Sequence, residues 1–260
     1  MDFKIAYQLY SARDIFDDDP ITILKNIKEF GYDGIEPAGF YGMDPYYFRG
    51  ICDAIGLKIV SIHLSFWTLT ENIEDTVRKL KTYGCDYAAI PGAFDLFVGN
   101  ERYPYFLKEF SKLGKALSDA GIQLIYHNHG YEFKPSNGDM GIDVLYNSLD
   151  PEYVKAEIDC GFATYYGVDP IKLIKKYRGR VPVLHLKDFH FNEGVKDDFS
   201  TFTCPVGEGE LDLHGILGAA EFSGTKWLVV EQDAPSWSGL DTMECAERSA
   251  KNLKKIISER

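Results

Sequence analysis

The chain has 260 residues, 45% of them apolar and 14% aromatic, which suffices for one sizeable core and excludes a disordered chain. Its 28 basic and 40 acidic residues leave a formal charge of −12, the wrong sign for holding nucleic acid or an anionic membrane through phosphate neutralisation. The opening MDFKIAYQLYSARD lacks the apolar centre of a signal peptide, and uncharged stretches such as Ile59 to Thr70 are too short and too polar to span a bilayer, so the expected setting is the cytoplasm. Five widely spaced cysteines, Cys52, Cys85, Cys160, Cys204 and Cys245, include no C-x-x-C pair and read as reduced thiols.

Short β-branched runs alternate eight times with segments whose apolar residues return every three or four positions. The first strand-like run covers residues 4–11. Asp19-Pro20 then supplies an N-cap and an N1 proline for a helix with the face Ile23, Ile27, Phe30, closed by Gly31. Further strand-like runs occupy 34–40, 58–66 and 87–94. After Asn100, Phe106, Phe110, Leu113, Leu117 and Ala120 recur at spacings of 4, 3, 4 and 3 before Gly121, one helical stripe. Runs at 122–129 and 154–161 precede a second helix with Asp-Pro punctuation, Asp169-Pro170 to Gly179. The last two runs are 181–189 and 227–233, and Met243, Ala246, Ala250, Leu253 and Ile257 mark the final helix.

Eight strand–helix units at roughly 30-residue intervals predict an α/β fold, a single (β/α)8 TIM barrel over residues 1–260. An open doubly wound sheet is the alternative, but no G-x-G-x-x-G opens the first helix. The long irregular stretch 190–210 is a candidate lid or ligand loop.

In such a barrel the reactive groups lie at the C-terminal strand ends. Walking those ends gives Glu36, His63, His127-Asn128-His129 with Glu132 beyond, Asp159, His185 with Lys187, and Glu231 with Asp233. Period-two alternation places His127 with His129, Glu157 with Asp159, His185 with Lys187 and Glu231 with Asp233 on shared faces. Asp159, His185 and Glu231, joined by Glu132 or a fifth-strand histidine, need a compensating cation in a low-dielectric mouth. Mostly oxygen with one imidazole, this set suits Mn²⁺ or Mg²⁺ and tolerates Co²⁺ or Zn²⁺. Lys187 either neutralises an alkoxide or pairs with Asp159 or Asp188; Glu36 binds substrate hydroxyls or is a structural acid; Trp67 stacks on a substrate ring or belongs to the core or rim. Gly207-Glu208-Gly209 lacks the Lys-Ser/Thr of a phosphate loop and reads as a turn into the helix after Asp212. With few basic residues at the mouth beyond Lys187, Arg13 and Lys134, a neutral substrate is favoured over a phosphorylated one.

The segments DGIE (Asp33 to Glu36), SIH (Ser61 to His63), YHNHGYEF (Tyr126 to Phe133), EIDCG (Glu157 to Gly161), HLKD (His185 to Asp188), VGEGELD (Val206 to Asp212) and VVEQD (Val229 to Asp233) together resemble the sugar isomerase/epimerase superfamily of xylose isomerase-like barrels. The resemblance implies a divalent metal, Mn²⁺ foremost, held by a fifth-strand Glu, a sixth-strand Asp, a seventh-strand His and an eighth-strand Glu; Asp159, His185 and Glu231 fill the last three positions. At the fifth, Glu132 is taken as ligand with His127 and His129 facing substrate, and the reverse assignment stays open. The implied activity is isomerisation or epimerisation of a neutral sugar or keto-sugar through an enediolate, with Glu231 and Glu132 as acid and base. Protonation of a leaving group by His63, His127 or His129 instead gives a dehydratase or lyase. An apurinic-site nuclease is opposed by only six histidines and the acidic charge, and a non-catalytic sugar-binding barrel by the full set of donors. A small-molecule sugar and, by family habit, a second copy of the chain in a homodimer are the expected partners.

Overall fold

The eight strand-like runs form one ring of parallel strands wrapped by helices in the computed structural model, which describes residues 3–136, 138–190 and 203–260. The ring consists of β1 (Lys4–Gln8), β2 (Gly34–Glu36), β3 (Lys58–Ile59) continuing into β4 (Ser61–His63), β5 (Tyr87–Pro91), β6 (Gln123–His127), β9 (Val154–Asp159), β10 (Val183–Leu186) and β13 (Trp227–Val230). Two short antiparallel pairs lie outside it, β7 (Pro135–Ser136) with β8 (Asp139–Met140), and β11 (Asp188–Phe189) with β12 (Thr203–Cys204). The helices are α1 (Pro20–Phe30), α2 (Pro45–Ile55), α3 (Phe66–Glu71), α4 (Ile73–Tyr83), α5 (Tyr103–Asp119), α6 (Gly141–Asn147), α7 (Cys160–Tyr165), α8 (Pro170–Lys176), α9 (Leu213–Ser223) and α10 (Thr242–Ser258).

Closure runs through the third strand position. There β3 pairs with β2 and β4 with β5, and between them the Val60 N–H donates to Ile35 O at 2.9 Å while its carbonyl accepts from Tyr87 N at 3.1 Å, so no open edge remains. Val60 packs inside the ring with Ala6, Tyr87, Ala89, Ile125, Val183, Trp227 and Val229. His63, three residues later, also turns inward, to Glu36 and Glu157. Two inward side chains three apart break the period-two alternation, which accounts for the interruption between β3 and β4 and aims His63 at the mouth. Gly34 is required opposite this seam: a Cβ there would fall 2.6 Å from Lys58 O and 2.8 Å from Val60 Cγ2.

Helix signals in the sequence act as expected. The Asp19 carboxylate caps α1 by accepting from Thr22 N, and Gly31 ends it at φ 93°. α5 buries Phe106, Phe110, Leu113 and Leu117 as one stripe. The strands stop short of the sequence runs because the last residues of each run bend into the loops around the mouth; residues 9–12, for example, form a 3-10 turn. All five cysteines are free and buried. Among the described residues no helix is long and apolar enough to cross a membrane.

The expected loop at 190–210 falls partly outside the described residues, which resume at 203. The turn at 207–211 is tied down by Asp188, whose carboxylate accepts from the N–H groups of Phe189 (3.0 Å), Gly207 (2.9 Å), Gly209 (3.1 Å) and Leu211 (3.1 Å). The glycine-rich turn thus closes around an anion of its own chain. Asp212 then caps α9 through Gly215 N.

Candidate metal centre and cavity

A cavity of about 700 Å³ opens at the C-terminal mouth of the ring. Strand alternation aims Glu157 and Asp159 from β9, His185 and Lys187 from the β10 end, and Glu231 and Asp233 from the β13 end toward the axis. They meet Gln8, Glu36, His63 and His127 there, and apart from Asp233 all of them are buried.

His185 is the centre of the inner network. Its Nδ1 lies 2.7 Å from Glu231 Oε2 and its Nε2 lies 2.6 Å from Glu36 Oε2. Gln8 Nε2 donates to the same Glu36 oxygen at 2.8 Å, and His63 Nε2 bridges Glu157 (2.8 Å) and Glu36 (3.0 Å). Burial alone would raise the Glu36 carboxyl, but His63 and His185 reverse this and hold it well below the usual carboxylate range. Burial alone would likewise lower His63, yet Glu36 and Glu157 push it up to about 9. Glu157 and Glu36 raise His185 against the same desolvation.

The outer network surrounds Asp159 and Lys187. Asp159 Oδ1 caps the start of α7 by accepting from Phe162 N at 2.7 Å, while the Asn128 side chain accepts from Asp159 N at 3.1 Å. Gly161 lets α7 begin this close to β10, since a Cβ there would meet Lys187 O at 2.3 Å. Lys187 Nζ lies 3.1 Å from Glu231, 3.2 Å from Asp233 and 3.4 Å from Asp159, and these acids overcome its burial to raise its pKa. Burial outweighs the Lys187 charge at Asp159 and pushes its carboxyl up to about 6. Burial, then His185 and His63, lowers His127 far enough to keep it neutral.

Buried atoms of this cluster, among them Asp159 Oδ2, His127 Nδ1, Glu157 Oε1 and Glu36 Oε1, have no hydrogen-bond partner. Donor atoms of His127, Asp159, His185 and Glu231 all lie within 4.8 Å of one another, and His63, His127, Glu157 and His185 form a second group on the same criterion. Two imidazoles and two carboxylates with orphaned acceptors fit a divalent cation.

Glu132 lies apart from both donor groups, and Trp67 lies on the rim, outside the cavity lining. Glu132 is buried, but its Oε1 accepts from Tyr126 OH and its Oε2 from His129 N, both at 2.9 Å, and it joins neither donor group. Burial pushes it up to about 7. Its role in the geometry is to pin the turn after β6, and the fifth-strand donor in the cluster is His127. Trp67 is half exposed on α3, stacks against Tyr105 under Arg102, and is not among the cavity-lining residues; Phe162 and Tyr166 are. Glu36 lies beneath the cavity, engaged by His185, His63 and Gln8, and so does not face substrate. His129 lines the cavity between Phe94 and Phe162, its Nδ1 unpartnered, and burial, then Lys187, lowers it to about 3. Glu157 and Gln8 were not singled out as site residues; for Glu157 the signal was its shared face with Asp159.

Residues 24–256 match the xylose isomerase-like TIM barrel family, and the chain belongs to that family. It is 26% identical to an inosose dehydratase of Lacticaseibacillus casei over 239 aligned residues, covering 78% of each chain. Among solved structures it is similar to a sugar phosphate isomerase/epimerase from Parabacteroides distasonis, with 22% identity, 98% of both chains covered and a TM-score of 0.81. It is also similar to the IOLI protein with a binding zinc atom, at 16% identity, 99% coverage of both chains and a TM-score of 0.80. At these identities the structural likeness speaks for the fold.

Proposed function

We propose that the chain is a divalent-metal-dependent enzyme that moves a proton at the carbon beside the carbonyl of a neutral cyclic keto-polyol or keto-sugar. The observation that carries this reading is the convergence of His127, Asp159, His185 and Glu231, of which His127 and Glu231 line the cavity and Asp159 and His185 lie buried behind them, with unpartnered acceptors in the group. These four residues would hold the cation. When bound, it supplies Lewis-acid polarisation of the carbonyl and the adjacent hydroxyl, which acidifies the intervening C–H. With His127 in place of Glu132 the donor set gains an imidazole, and the preference moves from Mn²⁺ or Mg²⁺ toward Zn²⁺ or Co²⁺.

The chain's own groups then divide the work. Lys187, kept protonated by three acids, lines the cavity and meets the negative charge that develops on the substrate oxygen. His129 lines the cavity with its Nδ1 unpartnered, and this position makes it the group placed to take the proton. If the proton taken from carbon is passed to a neighbouring hydroxyl, that group leaves as water and the reaction is a dehydration, the outcome that the relationship to inosose dehydratases supports. Isomerisation or epimerisation is the second reading, favoured by a second group that could take a proton, Glu231, which reaches the cavity from the β13 end while His129 reaches it from the β6 end.

Mass spectrometry of an inosose incubated with metal-loaded protein in D₂O tests the reading. Loss of water with deuterium at the adjacent carbon supports dehydration, and deuterium uptake without loss of water supports isomerisation. An unlabelled, unchanged substrate across a panel of inososes and keto-sugars would overturn both.

A further inference from the structure

The cavity is larger than one polyol ring fills, and its wall changes character with height. At about 700 Å³ it falls among pockets that take drug-sized ligands, of roughly 300–1,000 Å³, while the charged and imidazole groups His63, His127, His129, Lys187 and Glu231 lie at its floor. Higher up, Arg13 is already engaged: it donates to the carbonyls of Tyr10 (2.8 Å) and Asp233 (2.6 Å), and its guanidinium lies 4.1 Å over the Tyr10 ring. Lys187 is surrounded by its three acids. Among the described lining residues no other lysine or arginine waits for a phosphate, and Asp233 and Glu231 would repel one.

The outer wall is aromatic instead. Tyr10, beyond β1, and Tyr166, beyond α7, line the cavity while 43% and 52% exposed. Neither ring is free to swing. Arg13 covers one face of Tyr10, and the Tyr166 ring is seated on Gly130, where a Cβ would fall 1.9 Å from its Cε2. Tyr166 is also braced edge-on by Tyr165, with ring centroids 5.4 Å apart. Aromatic faces fixed in advance at the lip of a polar cavity bind a flat apolar surface at little ordering cost.

We infer that this outer part is a subsite for a second ring, an aryl group or the apolar face of another sugar, attached to the ring that reacts below. The preferred substrate is then an uncharged glycoside whose keto ring reacts below, bound more tightly than the free ring, and not a sugar phosphate. This rests on the reading of the floor as a metal-dependent polyol site.

The test is calorimetric titration of the metal-loaded full chain with methyl, phenyl and glucosyl β-glycosides in the glucose, galactose and xylose series. Tyr10→Ala and Tyr166→Ala are compared with the parent; both rings are half exposed, so the variants fold. The phenyl and glucosyl compounds of one series bind about 10-fold more tightly than its methyl glycoside, and the preference shrinks to about 2-fold or less in Tyr166→Ala with methyl glycoside affinity unchanged. A phenyl preference without a glucosyl one assigns the subsite to an aryl group. Equal affinities within every series, with metal-dependent methyl glycoside binding, overturn the subsite and leave the floor's function standing. Binding of none of the panel, with or without metal, overturns the reading of the floor and the subsite with it.

Discussion

Two buried aspartates on neighbouring strand ends, Asp188 and Asp159, show how structure and chemistry divide in this barrel. Asp188 accepts from four backbone N–H groups and fastens the turn at 207–211 to the β10 end. Asp159 gives one oxygen to the cap of α7 and leaves the other without a hydrogen-bond partner, facing Lys187 and His127. Both carboxylates leave water, but only Asp188 recovers what it lost. A fully satisfied buried acid is a fastener; one held with an orphaned acceptor beside imidazoles and other acids is waiting for a cation or a substrate.

Removing the fastener has the largest expected effect. Asp188→Ala strands buried N–H donors around 207–211 and lowers stability by about 4 kcal/mol, read as a fall in the urea midpoint, while metal binding by the folded fraction is retained. A variant as stable as the parent would show that the turn does not depend on this carboxylate.

The inner network of the centre titrates. His63 lies at about 9 in the folded protein against an ordinary 6.5, so the folded chain holds an extra proton between those values. Its contribution is fully present below pH 6.5 and disappears as pH rises through about 9, worth about 3 kcal/mol in metal-free protein. His63→Gln flattens that alkaline decline in unfolding midpoints measured across the window. An unchanged slope in the variant would place the titration elsewhere.

Glu36 sharpens the comparison from the other side, since it touches a proposed ligand without being one. It holds His185 Nε2 and leaves Nδ1 toward Glu231, the arrangement by which a carboxylate orients a metal-binding imidazole. Glu36→Gln is expected to weaken metal affinity by about 10- to 100-fold in competition with a fluorescent chelator while the protein stays folded. Parent-like affinity would make Glu36 a neighbour only.

The sequence was most legible where periodicity operates. Strand alternation, together with the ionisable ends of apolar runs, points to His63, His127, Asp159, His185, Lys187 and Glu231, which the fold brings together at the mouth. It failed beyond the strand ends. Glu132 lies on a 3-10 turn past β6, where no alternation governs direction, and its side chain folds back to Tyr126 and His129 N. Trp67 belongs to a short helix whose packing against Tyr105 no local pattern announces. For Glu36 the sequence left substrate contact and a structural role open, because depth along the axis depends on register between strands: Gln8 lies beside it in the β1–β2 pairing and holds it below the cavity. The interruption at Val60 was invisible for the same reason, being set by two partner strands at once.

The central claim is that His127, Asp159, His185 and Glu231 gather around one cation. The most direct measurement is plasma mass spectrometry of metal content in tag-free protein and in an Asp159→Asn, His185→Ala double variant, each reconstituted with Zn²⁺ or Mn²⁺ and checked for folding by circular dichroism. About one equivalent per chain in the parent and little in the folded variant is the predicted result. Equal metal in both, or none in the parent after reconstitution, would contradict it.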